Sequence, residues 1–144
     1  MTDVRPAVFE DVPWLIAMGT RFIRETEYRH HMAVDHATLS QLMASLMDND
    51  EAIILVVGER PHGMIGMIIF DHPMSGEKFA SELFWWTDPD QRGEGIKLLK
   101  AAERWAKEAG AVRIQMVAPN DRTAQAYERL GYSKIETHYQ RGLA

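Results

Sequence analysis

The residues best placed to do chemistry stand at the head of one long stretch, Asp88–Ala109, DPDQRGEGIKLLKAAERWAKEA. Leu98, Leu99, Ala102, Trp105, Ala106 and Ala109 recur at three- and four-residue spacing, so the stretch reads as an amphipathic helix that Gly110 stops. Arg92, Gly93 and Gly95 fall where a turn must become that helix. Unpaired N–H groups and a partial positive charge at a helix start suit a phosphate or diphosphate. Glycine lets the backbone approach such a ligand and reach torsions closed to other residues. Arg92 adds a formal positive charge. The same pattern also fits an ordinary surface helix behind a flexible turn.

Bulk composition narrows the function classes. The chain has 144 residues, 46% apolar and 26% charged, which fits one soluble domain with a core. It has no cysteine, which removes disulfides, thiolate metal sites and cysteine nucleophiles and is compatible with a cytoplasmic protein. A net charge of −5 argues against nucleic acid as partner and leaves room for a cationic amine. No apolar run approaches the ~20 residues that span a bilayer, so no membrane partner is expected. Six histidines are scattered without ligand spacing, and no metal site is expected.

The elements that must position the helix start read in order. Asp3 to Arg5 is a short first strand ended by Pro6, and residues 10–24 recur as a helix with Phe9 on its apolar side. Residues 24–37 have no period. Thr38 serves as N-cap of a helix to Asp48. Ala52–Gly58 and Met64–Phe70 are strands of a hairpin, and Phe79–Thr87 is a third strand running into the glycine turn. Beyond the long helix, Ala111–Ala118 is a strand, a helix follows Asn120, and Tyr132–Gln140 is a last strand with Ile135 turned inward. The order predicts a mixed α/β (α+β) domain, largely antiparallel, with a late strand–helix–strand crossover.

On four stretches the chain resembles the GNAT superfamily of N-acetyltransferases. Arg5-Pro6-Ala7 with Glu10-Asp11 is similar to the family's opening, and Asp88–Ile96 to its pyrophosphate-binding segment. Asn120 and Ala126–Tyr132 (AYERLGY) are similar to the later helix and its end. ELFWW and AERWAKEAGA are also similar to phage- and prophage-encoded members. The resemblance implies one domain over residues 1–144, with six to seven strands flanked by about four helices. One position departs: the family's last glycine or alanine of the phosphate segment is Lys97 here.

What the resemblance implies for function is transfer of an acetyl group from acetyl-CoA to a primary amine, on a small molecule or a protein. Backbone groups near Trp86 and Thr87 would pair with the pantetheine arm. Arg92, Gly93, Glu94, Gly95, Ile96 and Lys97 would hold the diphosphate. Tyr127 matches the family's proton donor to the leaving thiolate, or is a core aromatic; Asn120 binds coenzyme or simply caps its helix. Glu82 is the preferred base, because neighbours Phe79, Leu83, Phe84 and Trp85 would desolvate it. The family's strand carboxylate lies an odd number of residues before the Arg92 position, and Glu82 an even number. A regular strand turns it away unless a bulge shifts the phase, and it could equally be an ion-paired strand carboxylate. His72, Glu25, Glu27, His30 and His31 are alternatives. Tyr28, His30 and His31 lie in the segment that walls the acceptor site in this family. The resemblance also allows a homodimer. The competing readings are a non-catalytic domain that binds CoA or a partner, and a nucleotide-binding or nucleic-acid-modifying domain using the same turn.

Overall fold

The computed structural model describes residues 3–144, with only the backbone at Arg92. Five strands form one sheet in the order β1 (Val4–Pro6), β2 (Ala52–Val57), β3 (Gly63–Asp71), β4 (Lys78–Thr87), β5 (Arg113–Gln115). The first four are antiparallel neighbours; β5 returns through a helix and pairs parallel to β4. Helices α1 (Val12–Arg24), α2 (His36–Met47), α3 (Gly95–Glu108) and α4 (Asp121–Arg129) complete the domain.

Strands β2 and β3 are apolar at nearly every position because both faces of the sheet are covered. Leu55, Val57, Ile65, Met67 and Ile69 point toward α3, where they meet Leu98, Ala101, Ala102 and Ala106. Ile54, Val56 and Met64 point the other way, against Leu15 and Met18 of α1 and Met43 and Leu46 of α2. Period two on the strands meets helical period on both sides, and two cores result. A fully buried Leu, Ile or Met contributes roughly 1.5–3 kcal/mol here.

The chain's opening is pinned by a charge pair. Arg5 donates to both Asp11 carboxylate oxygens at 2.8 and 3.0 Å, and to the carbonyls of Gly58 and Glu59. Asp11, only 4% exposed, also accepts the Val8 N–H. One side chain thereby ties β1, the entry to α1 and the β2–β3 turn.

Several expectations need correcting. Among the described residues the sheet has five strands, not six or seven. Tyr132–Gln140 forms no strand, and Ile135 is 70% exposed. The strand expected over Ala111–Ala118 shrinks to Arg113–Gln115. Phe9 is 79% exposed, in a 3-10 turn ahead of α1. The cap of α2 is Asp35, whose carboxylate accepts the Thr38 N–H at 3.0 Å, so the helix starts two residues before Thr38. The helix stop at Gly110 did hold, at φ of +89°, and Gly131 follows α4 in the same way at +93°, the left-handed torsion that ends a helix.

Candidate active site at the fork of β4 and β5

Strand β5 pairs with β4 only along Phe79, Ala80 and Ser81, and then the two part. β4 runs on to Thr87, so its edge from Glu82 to Thr87 has no partner strand. Just past the last pair, the register with β3 slips: Met67 faces Glu82 and Gly66 faces Phe84, leaving Leu83 as the extra residue of a bulge. The phase change shows in the packing. Ala80 and Trp85 both lie toward α3, whereas Phe84 and Trp86 lie toward α1 and α2. Gly66 makes this possible, since a Cβ there would come 2.4 Å from the Phe84 ring.

The bulge turns Glu82 toward the side of Trp85. Its carboxylate accepts the Val117 N–H at 2.9 Å, across the mouth of the fork. The Tyr127 hydroxyl donates to the Val117 carbonyl at 3.1 Å. The Tyr127 ring stacks on Trp85, centroids 5.9 Å apart, and meets Tyr132 at 5.3 Å. Tyr132 in turn donates to Glu103 of α3 at 2.8 Å.

Burial sets the ionisation of this group. Loss of solvent lifts the Glu82 carboxyl to about 7, against the opposing pull of the Val117 N–H. Tyr127 is pushed well above the ordinary phenol range, first by burial, then by the charge on Glu82. Burial also raises Tyr28, and Glu82 adds to it. Tyr28 therefore stands in the field of the same carboxylate, carried by the 3-10 turn Glu27–His30 and packed on Phe22 at 4.9 Å.

The phosphate segment differs in detail from expectation. Pro89–Glu94 is a 3-10 turn, and Gly95 opens α3. Neither Gly93 nor Gly95 has a positive φ, so unusual torsion is not their purpose. Gly95 is needed for closeness: a Cβ would lie 3.1 Å from Thr87 Oγ1 and 3.5 Å from Trp85 Cζ2. Gly93 faces open space, with nothing within 4 Å of its would-be Cβ. Lys97 Nζ lies 3.0 Å from Glu94 Oε2, folding back over the first turn, and Ile96 is 40% exposed. The Arg92 side chain lies outside the described residues.

The remaining candidates divide. Trp86 Nε1 and Arg21 both donate to Asp88 Oδ1, at 3.0 and 2.9 Å, on the α1 side of the sheet. Asn120 Oδ1 accepts from the N–H and hydroxyl of Thr123, a helix cap. His30 and His31 are exposed, His30 lying 3.7 Å from Glu27. Glu25 pairs with Arg21, and His72 accepts the Met74 N–H in the loop before β4. Sequence reasoning missed Val117 and Tyr132. A backbone contribution leaves no side-chain signal, and the pairing of Tyr132 with Glu103 spans 29 residues. Trp85 Nε1, buried beside Gly95, has no hydrogen-bond partner among the described residues. Among them, no group of three or more His, Asp or Glu is placed to hold a metal ion, and no helix is long and apolar enough to cross a membrane.

Comparison with known proteins sets this geometry in context. The profile of the acetyltransferase (GNAT) family matches residues 15–132. A crystal structure of a transcriptional regulator from Bacillus halodurans C-125 superposes with a TM-score of 0.82 at 19% identity, covering 99% of this chain and 100% of that one. A predicted acetyltransferase with acetyl-CoA from Clostridium acetobutylicum gives 0.78 at 18%, covering 99% and 96%. An aminoglycoside acetyltransferase from an uncultured soil metagenomic sample, in complex with sisomicin, gives 0.73 at 18%, covering 99% and 97%. At such identities the likeness is one of fold. No curated protein sequence matches.

Proposed function

Because the chain belongs to the GNAT family of acetyltransferases, we propose that it moves an acetyl group from acetyl-CoA to a primary amine at the fork of β4 and β5. The observation that carries this reading is the linkage of Glu82 and Tyr127 through the two backbone groups of Val117.

The residues at the fork fit the coenzyme. The unpaired edge of β4 at Trp86 and Thr87 offers main-chain groups to an amide-bearing arm laid alongside it. The first-turn amides of α3, with open space at Gly93, offer donors to a diphosphate. Asn120, whose oxygen caps α4, would contact the coenzyme through its remaining amide group. Acetyl-CoA would supply the activated acyl group as a thioester.

Glu82 does the work on the acceptor side. An amine attacks only as the free base, and a carboxylate near pKa 7 stands ready, close to neutral pH, to accept the proton the nitrogen sheds as it attacks. Nitrogen gains the bond to the acyl carbon as sulfur loses it, and the proton from nitrogen passes to Glu82. Tyr127 addresses the departing sulfur. Its raised pKa keeps the hydroxyl protonated at working pH, so it acts as a donor and never as a base. The charge on Glu82 is part of what raises Tyr127. Once Glu82 has taken a proton that charge is gone, and Tyr127 donates more readily. Base and donor thus act in a favourable order.

Tyr28, within the field of the same carboxylate, would line the acceptor side, and the exposed His30 and His31 that follow it would meet the acceptor from solvent. The test is release of free thiol from acetyl-CoA against a panel of polyamines, aminoglycosides, amino acids and peptides. Thiol release that depends on one class identifies the acceptor. No release with any class, although the coenzyme binds, would reduce the chain to a binding domain.

A further inference from the structure

A cavity of about 190 Å3 lies under the first half of α1, where the β2–β3 turn meets the end of β4. Asp88 closes it on one side, six residues beyond Glu82 and roughly 20 Å along the strand. Trp14 and Met18 of α1 and Pro61 of the turn give it apolar walls. Its polar groups are unequal. Arg21 is already engaged, donating to Glu25 at 3.0 Å and to Asp88 at 2.9 Å. The same Asp88 oxygen also takes the Trp86 indole N–H at 3.0 Å. Arg60 is different. Among the described residues it pairs with no carboxylate, and its guanidinium lies over the Trp14 ring, 4.5 Å from the centroid. A guanidinium stacked in this way keeps its in-plane N–H donors available. His62 Nε2 is buried and has no hydrogen-bond partner among the described residues, a costly state for a ring nitrogen. The turn is shaped around that ring: Gly58 holds φ of +100°, and a Cβ there would come 2.7 Å from His62 Nδ1.

We propose that this cavity binds a small organic monocarboxylate, its charged end on Arg60 and His62 Nε2–H and its apolar body against Trp14, Met18 and Pro61. The charges of the lining select the class. Two arginines and one aspartate leave a surplus of one positive charge, which a monoanion matches. A phosphate dianion would bring a second negative charge beside Asp88 with nothing to balance it. An amine would find only Asp88, which already holds two donors, and would face Arg60. The volume is the share of about six waters, enough for one ring or a short branched chain and too little for a nucleotide. The ligand satisfies the orphaned imidazole nitrogen and the unpaired guanidinium together. The site is separate from the fork of β4 and β5 and does not depend on the acetyl-transfer proposal.

Calorimetric titration of the full chain with benzoate, and with benzylamine as its cationic counterpart, tests it. Benzoate should bind at one site per chain and benzylamine should not. Arg60→Met should weaken benzoate about tenfold or more, the scale of a hydrogen bond to a charged group. His62→Leu should weaken it too, and Arg60→Lys should lose less than Arg60→Met. Arg24→Met, which removes an exposed arginine elsewhere on α1, should leave the affinity unchanged. Four results would overturn the proposal: no binding of benzoate; benzylamine binding as well as benzoate; equal benzoate affinity in wild type and Arg60→Met; or displacement of benzoate by saturating CoA, which would put the anion at the start of α3 instead.

Discussion

Glu82 and Tyr127 are joined through a single residue: the Val117 N–H donates to the Glu82 carboxylate at 2.9 Å, and the Val117 carbonyl accepts from the Tyr127 hydroxyl at 3.1 Å. One peptide segment, just beyond a three-residue strand, thereby holds the proposed base and donor at a fixed separation. Tyr127 feels the charge on Glu82, so a change of that charge is read at the phenol.

The first consequence concerns stability against pH. Glu82 has a folded pKa of about 7, raised above the ordinary carboxyl value of 4.5. The folded state therefore holds this proton more tightly than the unfolded one. Glu82 costs nothing below the unfolded pKa, and its cost grows as pH rises to about 7 and then levels. Glu82→Gln should raise the Tm at pH 8 and change it little at pH 4. Thermal melts of both proteins across that range check it.

Tyr127→Phe removes the donor to Val117 and the proposed donor to sulfur. Stability should fall by about 1 kcal/mol, the net worth of a hydrogen bond. Turnover should fall by about 10²-fold or more, on the scale of general acid catalysis, with CoA affinity nearly unchanged. Steady-state rates beside calorimetric titration with CoA separate the two.

The two glycines of the phosphate segment should answer differently. Gly95→Ala pushes a methyl toward Thr87 and Trp85, and should lower both Tm and CoA affinity. Gly93→Ala meets nothing in the fold and should leave the Tm alone, while its methyl projects into space that a diphosphate would use. Equal CoA affinity in wild type and Gly93→Ala would move the coenzyme off this turn.

Asp11→Ala leaves Arg5 without its carboxylate and Val8 without its acceptor. The expected loss is about 2–3 kcal/mol, between a single hydrogen bond and a fully buried ion pair. Arg5 holds the Asp11 carboxyl below its usual range, so the stabilisation is full above the unfolded pKa and disappears as pH falls through the folded one. Urea titrations at pH 7 and pH 3 should show the variant's deficit at the first and a smaller one at the second.

Legibility from sequence followed physical range. Helices α1 and α3 and the β2–β3 hairpin were readable because amphipathic period and turn residues are local. The bulge at Leu83 was foreseeable only as a condition, since it depends on Phe84 crossing Gly66 of the neighbouring strand. Of the two reasons given for Gly93 and Gly95, torsion falls away because neither has a positive φ; close packing at Gly95 and open space at Gly93 stand in its place. Asn120 turned out to spend its oxygen on Thr123, which a sequence match cannot distinguish from ligand binding. The strand expected at Tyr132–Gln140 has a true strand pattern, but a pattern does not name its partner, and within one chain it finds none.

Most directly, the account stands on the rate of free-thiol release from acetyl-CoA, with an active amine, measured from pH 5 to 9. In wild type, kcat/KM should rise with pH through an ionisation near 7, as Glu82 loses its proton. In Glu82→Gln the rate should drop about 10²-fold or more and that rise should vanish. The same rise in both proteins would contradict Glu82 as base and leave the fork of β4 and β5 without its assigned chemistry.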